Sequence, residues 1–202
     1  MPISRALDLS LYLVLDPDLC GGEAGMIRTA VEAAAGGASI IQLRTPSWKK
    51  RREAECARAL LQALRPLGVP LIIDDDADVA LAVQADGLHI GQDDLSPEDA
   101  RRLLGPDKII GLSVGSISEA EAVPRSLVDY VGIGPVYATQ TKKDAGAALG
   151  LEALAQLRQL AALPAVAIGG IKASNASEVM ASGVDGIAVV SAICGQSDPQ
   201  AS

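Results

Sequence analysis

The chain has 202 residues, of which 49% are apolar and none is phenylalanine, a length and composition that suit one domain with a substantial core. Its net charge of -8 excludes a nonspecific grip on nucleic acid or on an anionic membrane surface, so an anionic ligand would need local positive charge. Three cysteines, Cys20, Cys56 and Cys194, show no CxxC spacing and read as packing residues of a reducing compartment, not as a disulfide scaffold or a zinc site.

Along the chain, the opening MPISRALDLS has no long apolar core behind a basic segment, and no later apolar run reaches membrane length. The chain therefore reads as cytoplasmic. Short β-branched runs then alternate with Ala- and Leu-rich amphipathic segments. The predicted strands are Leu11 to Leu15, Ser39 to Leu43, Leu71 to Ile73, Gly87 to Ile90, Ile109 to Leu112, Tyr130 to Ile133, Ala165 to Ile168 and Gly186 to Val190. Helical stretches separate most successive members, the mark of strand-helix units around a parallel sheet. Eight strands favour a closed (β/α)8 TIM barrel, an α/β fold, over a doubly wound open sheet. No linker, low-complexity tract or strong repeat divides the chain, so residues 1–202 read as a single catalytic domain.

After Val190 only SAICGQSDPQAS remains, too short for a full closing helix. The eighth helix is expected to be missing or truncated. Either the chain ends early, or a second subunit in a homodimer, or the segment Ile3 to Leu7, covers the apolar face of the last strand.

Chemistry in such barrels sits at the C-terminal ends of the strands. The residues just past each apolar run differ sharply from strand to strand. Gln42 and Arg44 come after strand two, Asp74 to Asp76 after strand three, Gln92 to Asp94 after strand four, and Ser113 after strand five. Strand six runs into GIGPVYATQTKK, where Thr139, Thr141, Lys142 and Lys143 bring hydroxyls and ammonium groups suited to phosphate oxygens. Gly169 and Gly170 succeed strand seven, and Ser191, Ala192 and Ile193 succeed strand eight; small residues there leave backbone amides open to a phosphate.

Plainer explanations compete at each position. Thr-x-Thr-Lys alone is an ordinary solvated loop, and Gly-Gly alone permits a tight turn. Asp74 to Asp76 suits a helix N-cap and first turn, with Asp78 in the same service. Two acidic clusters at consecutive strand ends would nonetheless repel each other unless a hard cation lay between them, which suits Mg2+. His89, the sole histidine, falls within a buried strand and reads as a satisfied core residue, and Trp48 as packing at a helix edge.

In their order, QLR at 42 to 44, DDD at 74 to 76, ADGLHIGQDD at 85 to 94, GLSVG at 111 to 115, GIGPVYATQTKKD at 132 to 144, VAIGGI at 166 to 171 and DGIAVVSAI at 185 to 193 resemble the thiamine phosphate synthase family. VAIGGI is shared by many phosphate-binding barrels, whereas ADGLHIGQDD with the Thr-x-Thr-Lys loop is specific. The resemblance implies a TIM barrel that joins a hydroxymethylpyrimidine diphosphate to a hydroxyethylthiazole phosphate with Mg2+, releasing pyrophosphate and thiamine phosphate. It assigns Asp75 and Asp94 to the metal, and Arg44, Thr139 and Lys142 to the pyrophosphate, with Asp74 and Thr141 beside them. Gln42 and Ser113 match positions beside the pyrimidine, and Gly170 with the Ser191 to Ala192 backbone the thiazole phosphate cradle. Arg44, Ser113 and Lys142 are the expected catalytic set.

The chain departs from the family pattern at Pro46, where a lysine is usual, and at Asp74, where an asparagine is usual. Asp74 could instead become a further metal ligand, and Lys49 or Lys50 could replace the missing charge. Gly115 stands where related thiazole tautomerases carry a histidine, which argues against proton shuffling, and it resembles the synthase domains of some enzymes that also carry a thiazole kinase. Two other functions remain open on the residues alone: a noncatalytic relative that binds thiamine phosphate or its precursors, and another phosphate-binding barrel such as a sugar-phosphate isomerase.

Overall fold

The computed structural model of the chain describes residues 7–139 and 146–202. Its strands are β1 (Leu11–Leu15), β2 (Ile40–Leu43), β3 (Leu71–Asp74), β4 (Gly87–Ile90), β5 (Ile109–Val114), β6 (Tyr130–Ile133), β7 (Ala165–Ile168) and β8 (Gly186–Val189). All pair in parallel in sequence order, and β8 closes on β1 through the pairing of Ile187 with Leu11. The expected TIM barrel is thus observed. Ser113 and Asp74 lie inside their strands, not just beyond them, because β5 and β3 run further than the apolar pattern indicates.

Between the strands run α1 (Glu23–Ala35), α2 (Lys50–Leu64), α3 (Ala77–Val83), α4 (Pro97–Leu104), α5 (Ile117–Ala122), α6 (Gly150–Ala161) and α7 (Ala176–Met180). Local sequence sets several of the helix starts. Ser96 caps α4 by accepting from Asp99 N at 3.1 Å, with Pro97 preset for the first turn, and Ser116 caps α5 by accepting from Glu119 N at 3.3 Å. Alternation along each strand divides the apolar residues in two. One cluster, with Leu13, Ile41, Ile73, Leu88, Val131 and Ala167, packs outward against the helices; a smaller one, with Tyr12, Ile40, Ile72, Tyr130, Val166 and Ala188, fills the barrel.

Three aspartates at the N-terminal mouth hold the strands in register. Asp86, Asp129 and Asp185 stand just before β4, β6 and β8, and each carboxylate accepts from a backbone amide of the preceding strand: Leu71 N at 2.9 Å, Ile110 N at 2.7 Å and Ala165 N at 2.8 Å. Arg101 clamps the second of these, giving Nη2 to Asp129 at 2.8 Å and other N–H groups to the carbonyls of Leu127, Gly105 and Lys108.

Among the described residues no helix follows β8. Residues 191–202 form turns instead: Ile193 and Cys194 join the outer core, and Gln200 O lies against Gly36 at the end of α1. Of Ile3 to Leu7 only Leu7 is described, and it packs against the inner barrel cluster. All three cysteines are buried and free. Among the described residues no helix is long and apolar enough to cross a membrane.

Candidate active site

At the C-terminal mouth a cavity of about 420 Å³ opens among the strand ends. Gln42, Arg44, Asp74, Ser113, Thr139, Gly170 and Ser191 all line it, so most of the substrate positions expected from sequence converge on one space. Ala192 follows Ser191 without lining it. Thr141 and Lys142 lie outside the described residues.

On the β2–β3 side the geometry is ionic. Arg44 Nε meets Asp74 Oδ2 at 3.2 Å, with both side chains largely buried. The aspartate found in place of the usual asparagine is therefore neutralised by the arginine of the QLR motif. Lys50, in the first turn of α2, pairs with Asp76, and its Nζ stands 3.8 Å from Asp78. An anion at the end of β3 thus accounts for a cation at a helix N-terminus, which the dipole alone would disfavour. The expected repulsion between acidic clusters is in this way partly relieved by the chain itself, since Asp74 and Asp76 both face cations.

Asp75 and Asp94 are both tied to one stretch of β4. Asp75, at a φ of 58°, donates its amide to His89 O at 2.8 Å, and Asp94 Oδ2 accepts from Gly91 N at 2.8 Å. Both residues are thus fastened at the end of β4, where Gly91 lines the cavity, but neither Asp75 nor Asp94 itself lines it. Among the described residues no group of three or more His, Cys, Asp and Glu side chains is arranged to hold an ion. That excludes an all-protein cage among these residues.

On the β7–β8 side the surface is backbone. Gly169 and Gly170 adopt positive φ of 105° and 66°, and a Cβ on Gly170 would come within 2.7 Å of Tyr137 Cβ. Asn175 straps this turn, accepting from Lys172 N at 2.7 Å and donating to Gly170 O at 3.1 Å. Beyond β8 the first amides to fold back are those of Ile193 and Cys194, both onto Val190 O. Those of Ser191 and Ala192 make no hydrogen bond among the described residues. Lys172 also lines the cavity, a cation not anticipated from sequence because the charge stands past the glycine pair, in a loop of polar residues.

The floor was the least visible part. Tyr12, His89 and Tyr130 line it beneath Gln42 and Ser113. His89 is satisfied as expected, with Nδ1 2.9 Å from Tyr130 Oη and Nε2 3.0 Å from Ser113 Oγ. Yet it forms part of the cavity wall and not only of the core. The available signal was two tyrosines at inward strand positions in a chain without phenylalanine, where each buried phenol needs a partner for its hydroxyl.

A (β/α)8 barrel with a mixed-charge wall and a glycine-backbone wall at its C-terminal mouth is the architecture of an enzyme that handles phosphorylated substrates. Comparison with known proteins specifies which. Residues 11–193 match the family model described as thiamine monophosphate synthase. The chain is 58% identical over 191 residues to the thiamine-phosphate synthase of Azorhizobium caulinodans, covering 95% of this chain and 90% of that protein. It is 53% identical over 199 residues to that of Laribacter hongkongensis, covering 98% and 94%. The solved thiamine phosphate pyrophosphorylase from Pyrococcus furiosus superimposes with a TM-score of 0.85 at 39% identity, over 96% of this chain and 91% of that one. The chain belongs to the thiamine-phosphate synthase family.

Proposed function

We propose that this chain condenses a hydroxymethylpyrimidine diphosphate with a hydroxyethylthiazole phosphate, giving thiamine phosphate and releasing pyrophosphate, with the barrel as one catalytic domain. The observation that carries the reading is the convergence of Gln42, Arg44, Asp74, Ser113, Thr139, Gly170 and Ser191 on one cavity in a chain related to such synthases over nearly its whole length.

Each wall takes one part of the pair. Gln42 and Ser113 lie deep and adjoin the pyrimidine, while the glycine turn after β7 and the open amides after β8 cradle the thiazole phosphate. The diphosphate lies toward Arg44, Thr139 and the loop carrying Thr141 and Lys142. The salt bridge to Asp74 engages Arg44 Nε, and a guanidinium carries five N–H donors, so Arg44 can meet an anion as well. Asp75 and Asp94 would hold Mg2+, and a bound ion would supply Lewis-acid neutralisation of diphosphate oxygens.

This allocation explains why the wall carries fixed cations and no dedicated general base. If the carbon–oxygen bond breaks ahead of ring attack, the pyrimidine methylene becomes cationic and the thiazole nitrogen captures it, so the demand is to stabilise departing pyrophosphate. Arg44 and Lys142 meet that growing negative charge, and the cavity holds the two rings within reach. The direct test mixes the purified chain with both substrates and Mg2+ and follows pyrophosphate release. Turnover that requires both substrates and stops with a chelator is the expected result. Tight binding of thiamine phosphate without turnover would overturn the reading in favour of a noncatalytic relative.

A further inference from the structure

The barrel interior holds an unbroken line of polar side chains that runs from one wall of the cavity to the other. Gln42 Nε2 donates to Tyr12 Oη at 2.9 Å, and Tyr12 Oη lies 2.8 Å from Tyr130 Oη. Tyr130 Oη lies 2.9 Å from His89 Nδ1, and His89 Nε2 lies 3.0 Å from Ser113 Oγ. Gln42, Tyr12 and Tyr130 are 4%, 2% and 0% exposed, so water does not compete for these bonds. Two strand glycines make the room. A Cβ at Gly111 would collide with the Tyr130 hydroxyl and stand 2.5 Å from His89 Nδ1, and one at Gly132 would stand 3.1 Å from His89 Cε1.

Burial raises the pKa of both phenols, so each keeps its one hydrogen. That makes the line directional. A hydroxyl that accepts from one neighbour has a single hydrogen to pass to the next. With the Gln42 amide donating, Tyr12 donates to Tyr130 and Tyr130 donates to His89 Nδ1. The ring then carries its hydrogen on Nε2 and gives it to Ser113 Oγ, whose own hydrogen remains for the cavity.

We propose that Gln42, Tyr12, Tyr130, His89 and Ser113 act as one hydrogen-bond relay, with its direction set at Gln42, that holds His89 as the Nε2–H tautomer and presents the Ser113 hydroxyl to the cavity as a donor. Tyr12, Tyr130 and His89 are positioning residues in this scheme. Resting on the function proposed above, the relay's purpose is to offer a donor to a ring nitrogen of the pyrimidine, which can only accept, and so to select the orientation of that ring before the diphosphate departs.

The sole histidine makes the relay readable without substrate. Protein labelled with ¹⁵N-histidine should give a single imidazole in long-range ¹H–¹⁵N spectra, with Nδ1 unprotonated and Nε2 protonated. Gln42→Glu, read at a pH high enough to ionise the buried carboxyl, replaces the donor with a group that only accepts, so Tyr12 and Tyr130 must reverse and Nδ1 must gain a hydrogen. Tyr12→Phe cuts the line, and the same Gln42→Glu change made in that background should leave His89 as it is in Tyr12→Phe alone. Should Gln42→Glu fail to fold, Tyr130→Phe removes the group that donates to Nδ1, and the ring should lose its single tautomer. Tyr130→Phe should also raise KM for the pyrimidine diphosphate about fivefold, the scale of one hydrogen bond, while KM for the thiazole phosphate stays within about twofold. An Nδ1–H tautomer in the unmodified protein, or a ring unmoved by Gln42→Glu, overturns the relay even if the enzyme turns over. Absence of turnover with the tautomer responses intact would instead overturn the synthase reading and leave the relay standing.

Discussion

Carboxylates stand at both mouths of this barrel, and the two sets are used in opposite ways. At the N-terminal mouth Asp86, Asp129 and Asp185 each accept a backbone amide of the neighbouring strand, and they fix register. At the C-terminal mouth Asp74 and Asp76 pair with the side-chain cations Arg44 and Lys50, while Asp75 and Asp94 are fastened at the end of β4. What differs is the partner: at the N-terminal mouth it is the amide of a neighbouring strand, which fixes that strand, whereas at the C-terminal mouth it is a cation of the rim or, for Asp94, the Gly91 amide of its own loop. The same residue type thus serves stability at one end and chemistry at the other, as the placement of active sites in such barrels requires.

The largest effects should separate the two mouths outright. Arg44→Ala and Lys142→Ala should each lower turnover by about two to three orders of magnitude, the usual scale for removing a preorganised charge-stabilising donor, and Arg44→Ala should also lower the denaturation midpoint because it takes the ion-pair partner from the largely buried Asp74. Steady-state kinetics beside urea melts would check both halves. A purified Lys142→Ala protein with full rate would end the assignment of that residue.

Glu53 provides a second test, beneath the same rim. It is 1% exposed on α2, and its Oε2 has no hydrogen-bond partner among the described residues. Burial raises its carboxyl from an ordinary 4.5 to about 7; Lys50 opposes the shift, and Asp78 and Asp75 add to it. The native state therefore holds a proton that the unfolded chain releases, and that contribution to stability is complete below about 4.5 and lost as pH rises through about 7. Glu53→Gln should be the more stable protein at pH 8 by on the order of 3 kcal/mol, with the gap closing toward pH 5. Parallel denaturation curves across that range would check the sign.

The opposite mouth predicts the opposite pattern. Asp129→Ala removes bonds to Ile110 N and to Arg101 from a half-exposed carboxylate, and should cost about 1–2 kcal/mol of stability with kcat unchanged once the protein is folded. A loss of turnover in the folded variant would mean that the two mouths are coupled, and the division drawn between them would fail.

Much of this was legible in the residues, for reasons that differ by region. Strands with both faces buried read as continuous β-branched runs, so all eight strands could be located. Rim groups such as Arg44, Asp74 and Thr139 interrupt those runs, and the barrel rule then assigns them to one face. The inner layer was hidden because an inward tyrosine looks like core from sequence; only closure of the barrel brings Tyr12, Tyr130 and His89 together. The register aspartates were hidden for a related reason. Asp86, Asp129 and Asp185 stand before their strands as turn residues ordinarily do, and their partners lie on a neighbouring strand. Lys50 was legible as a candidate replacement for the lysine displaced by Pro46, but its pairing with Asp76 required the structure.

That pairing yields the smallest effect and the finest test of the comparison. Lys50 is half exposed, and exposed ion pairs contribute about 0–1 kcal/mol, so Lys50→Met should lower stability by less than about 1 kcal/mol. Its effect on the diphosphate depends on whether the ammonium stays with Asp76 or swings into the mouth when substrate arrives. The α2 dipole disfavours a free cation in the first turn, so leaving Asp76 would cost Lys50 both its partner and its local field. KM for the pyrimidine diphosphate should therefore change by no more than about threefold, an amount of the same scale as that pair. An increase beyond about tenfold would show that Lys50 replaces the missing family lysine at the diphosphate, and that the rim cations are shared between structure and substrate instead of divided.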